Sequence, residues 1–119
     1  MRFPAWYGIA VGLLMILQWT VTIAAGAVPE FETAPWEIGF HLAAEFTAAL
    51  LLLTGGAATL KTISWGKPIL LTGLGMVMYS EIASPGYYAQ LGQWGFVAMF
   101  GVLLFGAVWS VMLLLRQEA

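Results

Sequence analysis

The stretch WEIGFHLAAEFTAALLLLTGGAATL, residues 36–60, decides the fold class of this chain. It is long enough for a membrane-spanning helix, which needs about 20 mostly apolar residues. Within it, Glu37, His41 and Glu45 stand four residues apart. Because four residues advance a helix by about 400°, the three side chains share an arc of roughly 80° and rise by about 12 Å. The stretch therefore predicts a transmembrane helix with an ionisable stripe, formed by these three residues, on one face.

The composition extends this prediction to the whole chain. Hydrophobic residues make up 61% of the 119 residues and charged residues only 8%, whereas soluble domains average about 25% charged residues. We therefore expect an integral membrane protein whose main partner is the lipid bilayer. The chain has no cysteine, which excludes thiolate metal sites and disulfides. It also has no cluster of basic residues, which argues against binding to nucleic acid.

The apolar segments predict an all-α fold, a four-helix transmembrane bundle with short connections. We expect the helices at about residues 4–27, 36–60, 68–83 and 89–115, within a single transmembrane domain of residues 1–119. Pro4 and Pro68 fall at the first turn of a helix, where the missing N–H of proline does no harm. The length leaves no room for a separate soluble domain.

The charges predict the orientation of the bundle. With four spans, all the basic residues fall on one side: Arg2, Lys61, Lys67 and Arg116. The positive-inside rule assigns that side to the cytoplasm, so both termini are expected there, with the protein in the cell membrane. Most of the glutamates lie at or near the opposite face, namely Glu30, Glu32, Glu37 and Glu81. We therefore expect an acidic outer face around the open end of the ionisable stripe.

Depth separates the ionisable residues from one another. Glu45 is expected about 14 Å below the outer surface of a hydrocarbon core about 30 Å thick. A charge at that depth is unfavourable by at least about 2.5–3.5 kcal/mol, so Glu45 must be neutralised, paired or in contact with water. Glu81, near the end of the third helix, is expected to approach Glu37 or His41. Gln18 adds a polar group from the first helix.

Our preferred functional hypothesis is a polar pocket, open to the outside, that binds or transports a cation or a proton. Glu45, His41 and Gln18 would form the proton or ion path, and Glu37 and Glu81 would recruit the ion at the mouth. A weaker hypothesis is a membrane metalloenzyme that holds a divalent metal ion through His41, Glu45, Glu81 and Glu37. Its difficulty is that Glu37 and Glu45 lie about 12 Å apart along the helix, too far to share one ion.

A purely structural interpretation competes with both hypotheses. Glu37 lies in the first helical turn, where a carboxylate complements the helix dipole. His41 would then only hydrogen-bond a neighbouring helix, and Glu45 would be a protonated carboxyl bonded within the bundle. On this interpretation the protein is a non-catalytic accessory subunit of a larger membrane complex, or a homo-oligomer. Small residues and aromatic faces would supply its contacts, and we favour a role without catalysis.

Overall fold

A computed structural model describes residues 2–117 and shows only helices within them. In chain order these are α1 (Phe3–Ala24), α2 (Glu30–Thr33), α3 (Pro35–Leu60), α4 (Gly66–Ala83), α5 (Pro85–Gln90) and α6 (Trp94–Arg116). Helices account for 85% of the described residues, and no strand occurs among them. The all-α fold class is therefore confirmed.

Three of the described helices, α1, α3 and α6, are long and apolar enough to cross a membrane. The fourth long helix, α4, does not qualify as a candidate membrane-spanning helix. It has 18 residues and carries the charged residues Lys67 and Glu81. Length and composition thus support a membrane protein with three candidate spans.

Glycines in a left-handed conformation end two of the helical segments. Gly26 has a φ of 68° and follows the end of α1, and Gly92 has a φ of 72° and follows α5. Such positive φ values favour glycine, which has no Cβ to clash with the backbone. The last long helix therefore begins at Trp94, later than the expected start near residue 89. The residues before the turn form the separate short helix α5.

The four long helices are α1, α3, α4 and α6, and the most extensive contact is between α3 and α4. α3 contacts α1 on one side and α4 on the other, and α6 contacts both α4 and α1. The starts of α1 and α4 and the ends of α3 and α6 lie together at one end, termed the basic end because Arg2, Lys61, Lys67 and Arg116 are there. The opposite end, termed the acidic end, carries α2 and α5.

The half of the molecule towards the basic end, termed the packed half, is closely filled. Its fully buried side chains include Leu52, Leu70 and Leu114. Glycines allow the backbones to approach: a Cβ at Gly56 would lie 2.8 Å from the carbonyl oxygen of Ala5. Real Cβ atoms do not come so close, so α1 and α3 can make this contact only because Gly56 has no side chain. The packed half holds the long helices in a fixed register and so positions the groups in the other half.

Candidate functional site

A cavity of about 650 Å³ lies in the half towards the acidic end. Side chains from all six helices, α1 to α6, line it. Most of the lining is apolar, and the polar lining groups include Gln18, His41, Glu45, Ser80, Glu81 and Ser84. Pockets that bind small molecules occupy about 300–1,000 Å³ and combine apolar walls with a few polar groups. The volume of the cavity falls within this range, and its lining is largely apolar with a few polar groups.

Glu81 is the most deeply buried carboxyl group of the cavity. Only 3% of its surface is exposed. The Tyr7 hydroxyl donates a hydrogen bond to Glu81 Oε2 over 3.1 Å and also bonds the backbone carbonyl oxygen of Leu103. This arrangement ties α1, α4 and α6 together. The second carboxyl oxygen, Glu81 Oε1, is buried and has no hydrogen-bond partner within residues 2–117.

The hydrogen bonds of Tyr7 bear on the proton of Glu81. A phenol carries one proton, and a backbone carbonyl oxygen can only accept. Tyr7 therefore cannot fully satisfy both Leu103 and an ionised Glu81 at the same time. Tyr7 is the donor to Glu81 Oε2 over 3.1 Å, so this contact by itself does not place a proton on Glu81. The burial of Glu81, of which 3% is exposed, is what makes an ionised carboxyl group unfavourable at this position.

Glu45 is the second buried carboxyl group, with 8% of its surface exposed. Ser80 donates to Glu45 Oε1 over 3.0 Å, and the Ser80 and Ser84 hydroxyls lie 3.3 Å apart. Ser80 directly precedes Glu81 in the chain. Glu81 and the Ser80 hydroxyl that hydrogen-bonds Glu45 therefore lie in the same turn of α4. Two carboxyl groups from neighbouring helices consequently line the same cavity.

His41 connects this buried pair to the surface. Its Nε2 lies 3.6 Å from Glu45 Oε1, and 48% of its side chain is exposed. The imidazole meets Trp19 edge-on, with the ring centroids 5.8 Å apart. A second, smaller cavity of about 210 Å³ touches both His41 and Glu45. His41 thus lies between the deep carboxyl groups and the acidic end.

Four of the five residues of the predicted site line the large cavity, and one does not. His41, Glu45, Glu81 and Gln18 all line the large cavity, whereas Glu37 is exposed and does not line it. Glu30, from the short helix α2, contributes a carboxylate to the lining instead. Glu37 lies one turn further out on the same helical face as His41 and is exposed, whereas its neighbour Ile38 is buried and lines the cavity.

The partner of Glu81 differs from the expected one. Glu81 was expected to approach Glu37 or His41, but its hydrogen bond is to Tyr7. The physical reason is that helical side chains tilt towards the N-terminus of their helix. The Glu81 side chain is therefore directed away from the acidic end and into the interior.

Tyr7 is the residue that sequence reasoning missed. It lies in the first turns of α1, beside Trp6, where an aromatic residue indicates an interfacial position. In the structure it is half-buried and its ring packs against Gly106, at which a Cβ would lie 2.6 Å from the ring. Its bond to Glu81 joins residues 74 positions apart. No local sequence pattern signals a contact of that kind.

The geometry gives little support to a metal centre. No group of three or more His, Cys, Asp or Glu residues within the described part of the chain is placed to hold a metal ion. Binding of a divalent metal by His41, Glu45, Glu81 and Glu37 stays a prediction.

The fold and the cavity define an all-helical protein with three candidate membrane-spanning helices and two buried carboxyl groups, those of Glu45 and Glu81, in the cavity wall. The chain belongs to the family described as a domain of unknown function, DUF8058, which matches residues 1–119. No curated protein and no solved structure matches the chain.

Proposed function

We propose that this protein is a four-helix transmembrane bundle of the cell membrane that binds a cation or a proton in its large cavity. In this proposal α4 is the fourth span, both termini are cytoplasmic, and the cavity opens towards the outer face. Transport would follow if the bound ion can also leave towards the cytoplasm. The observation that carries the proposal is the buried, unpartnered oxygen of Glu81.

The proposed topology is supported by the packing and by the charges. α4 contacts α3, α6 and α1, so it lies among the candidate spans. Glu81 lowers the mean hydropathy of α4 near the acidic end, but its side chain is buried inside the protein and does not face lipid. With α4 as a span, the four basic residues fall on one side, as the positive-inside rule requires of a cytoplasmic face.

The charges of the cavity support a positively charged ligand. Glu30, Glu45 and Glu81 contribute carboxyl groups to its lining, and within residues 2–117 no lysine or arginine lines it. Coulombic interactions are strong in such a setting because the effective dielectric constant is far below that of water. A cation or a proton would therefore stabilise the carboxyl groups, and an anion would be repelled.

The unpartnered oxygen supports the same conclusion. Buried polar atoms in proteins almost always have a hydrogen-bond partner, so each exception needs an explanation such as a ligand or a catalytic role. Glu81 Oε1 is an acceptor that has no donor within residues 2–117. The burial of this oxygen thus favours either a protonated Glu81 or a cation beside it, because each removes an uncompensated negative charge.

Labelling by dicyclohexylcarbodiimide tests whether the buried carboxyl groups hold protons. This reagent modifies protonated carboxyl groups in apolar surroundings, and mass spectrometry locates the adduct. We expect an adduct on Glu81 that decreases as the pH is raised. Glu37 serves as the internal control because it is a glutamate of the ionisable stripe that stays exposed. Labelling of Glu37 alone would contradict the proposal.

Proton uptake by proteoliposomes tests transport through the same site. An imposed pH gradient should drive uptake that a pH-sensitive dye inside the vesicles reports. We expect Glu45→Gln and Glu81→Gln to abolish most of this uptake, because a neutral amide cannot exchange a proton. Glu37→Gln makes the same chemical change outside the cavity and should leave the uptake unchanged. Equal uptake by all three variants would refute a transport role for the cavity.

A further inference from the structure

We infer that the ligand of the cavity is a monovalent organic cation with an apolar or aromatic body, which displaces a proton from Glu81 when it binds. Quaternary and protonated amines with hydrophobic substituents belong to this class. The inference rests on the proposed function, since it names the kind of cation that the cavity takes. Four features of the cavity carry it: its size, its walls, the distribution of its charge and the unpartnered oxygen of Glu81.

The size of the cavity favours an organic molecule over a bare ion. A volume of about 650 Å³ falls well within the range of pockets that hold small organic ligands. A bare metal ion needs several converging ligand atoms at about 2 Å. No group of three suitable side chains exists in the described residues to provide them. An organic cation can fill the space with its body and needs only one carboxylate for its charge.

The walls of the cavity suit the body of such a molecule. Trp19, Tyr88 and Phe100 line it together with aliphatic side chains. Tyr88 stacks on Phe100 with the ring centroids 5.8 Å apart, so two aromatic side chains of the wall hold each other in place. The faces of aromatic rings attract cations through their electrostatic quadrupole, and tryptophan does so most strongly. Apolar walls of this kind bind a hydrophobic substituent while tolerating its positive charge.

The hydrogen bonds of the two buried carboxyl groups favour Glu81 as the group that pairs with the ligand. Glu45 already accepts a hydrogen bond from Ser80 and lies 3.6 Å from His41. Glu81 has Tyr7 on one oxygen, and within residues 2–117 its other oxygen, Oε1, has no hydrogen-bond donor. Glu81 is therefore the carboxyl group that we expect to pair with the ligand. A ligand with one positive charge matches the one proton that this carboxyl group can release.

Exchange with a proton keeps the charge of the cavity constant. In this proposal Glu81 holds a proton before the cation binds, because an ionised carboxyl group is unfavourable where only 3% of its surface is exposed. When the cation enters, the O–H bond of Glu81 breaks and the proton passes to water at the acidic end. The resulting carboxylate then pairs with the cation. One positive charge leaves and one enters, so no net charge is added to a region of low dielectric constant.

Calorimetric titration of the purified protein in detergent tests the inference with two probes of the same shape. Tetraphenylphosphonium is a hydrophobic cation, and tetraphenylborate is its anionic counterpart. We expect the cation to bind and the anion not to bind. The heat measured in buffers with different ionisation enthalpies should show about one proton released per cation, because Glu81 must lose its proton.

Two pairs of variants assign the binding to the cavity. Glu81→Gln should weaken cation binding at least about tenfold and abolish proton release, and Trp19→Leu should weaken it by a smaller factor. The matched controls are Glu37→Gln and Trp36→Leu, which make the same changes at exposed positions outside the cavity. Both controls should bind as the wild type does. Equal binding of the two probes, or undiminished binding by Glu81→Gln, would overturn the inference.

A protection experiment needs no variant and so does not depend on how a variant folds. Tetraphenylphosphonium should protect Glu81 of the wild-type protein from dicyclohexylcarbodiimide, whereas tetraphenylborate should not. Labelling of Glu81 without protection or cation binding would refute the organic-cation inference and leave the proposed proton site standing. Absence of both labelling and cation binding would refute the two together.

Discussion

The packed half and the cavity half are built from the same four long helices, yet they differ in almost every physical property. Towards the basic end, glycines and leucines bring the helices into close contact, as at Gly56 and Leu70. Towards the acidic end the helices surround a cavity of about 650 Å³ with two buried carboxyl groups in its wall. The two halves therefore differ in what their side chains do. In the packed half they hold the helices together, and in the cavity half they surround a space lined by polar groups.

The largest expected effect is the loss of a buried leucine from the packed half. Leu70→Ala removes a fully buried side chain that packs against Gly8. We expect the free energy of unfolding to fall by about 2–5 kcal/mol, because apolar contacts are lost and a void remains. Unfolding in mixed detergent micelles measures this quantity. Leu50→Ala, at a position that is 57% exposed, is the control and should change it by less than about 0.5 kcal/mol. Equal effects would show that the packed half is not closely packed.

Enlarging a side chain should distinguish the two halves directly. Ala107 is fully buried in the packed half, whereas Ala83 lines the cavity. We expect Ala107→Leu to lower the free energy of unfolding by about 1–3 kcal/mol through overpacking. Ala83→Leu has space to enter and should change it by less than about 0.5 kcal/mol. The same unfolding assay serves for both variants. A larger loss for Ala83→Leu than for Ala107→Leu would reverse the comparison.

Removing the hydroxyl of Tyr7 tests the contact that joins the two halves. Tyr7→Phe keeps the ring against Gly106 but removes the hydrogen bonds to Glu81 and Leu103. We expect a loss of about 0.5–1.5 kcal/mol in the free energy of unfolding, the usual contribution of a hydrogen bond. Tyr79→Phe, at a position that is 76% exposed, is the matched control. If both variants were as stable as the wild type, the bond between Tyr7 and Glu81 would not contribute to stability.

The smallest effect is expected at the exposed rim of the cavity half. His41→Gln removes the imidazole that lies 3.6 Å from Glu45, but 48% of the histidine side chain is exposed. Partly exposed ion pairs contribute less than about 1 kcal/mol because solvent screens them. We therefore expect a change in unfolding free energy below that of Tyr7→Phe in the same assay. A loss as large as that of Leu70→Ala would mean that His41 is part of the core.

The sequence and the structure agree best where the pattern is local. The apolar composition and the long apolar stretches predict an all-α fold, which the structure confirms, and they predict membrane helices, for which α1, α3 and α6 qualify. The limits of the last long helix could not be predicted closely. Its start depends on the left-handed conformation of Gly92, and glycine is also compatible with an ordinary helical conformation.

In the candidate site, too, the sequence predicts what depends on local spacing and does not predict what depends on helix packing. Glu45 and His41 follow from a spacing of four residues, which any helix converts into a shared face. Their different surroundings do not follow from the spacing, because Glu45 is buried against Ser80 while Glu37 on the same face is exposed. Burial depends on where α4 crosses α3. That crossing is set by contacts between residues far apart in the chain.

The sequence by itself determined the helical class, the apolar segments and the presence of ionisable residues within them, because these properties depend on composition and on helical periodicity. Only the tertiary structure decided that Tyr7 donates a hydrogen bond to Glu81, that Glu30 and not Glu37 lines the cavity, and that the buried Glu81 Oε1 has no partner within residues 2–117. The physical reason is that periodicity fixes the face of a helix on which a residue lies. The tilt and crossing of several helices then determine which faces meet and where a space remains between them.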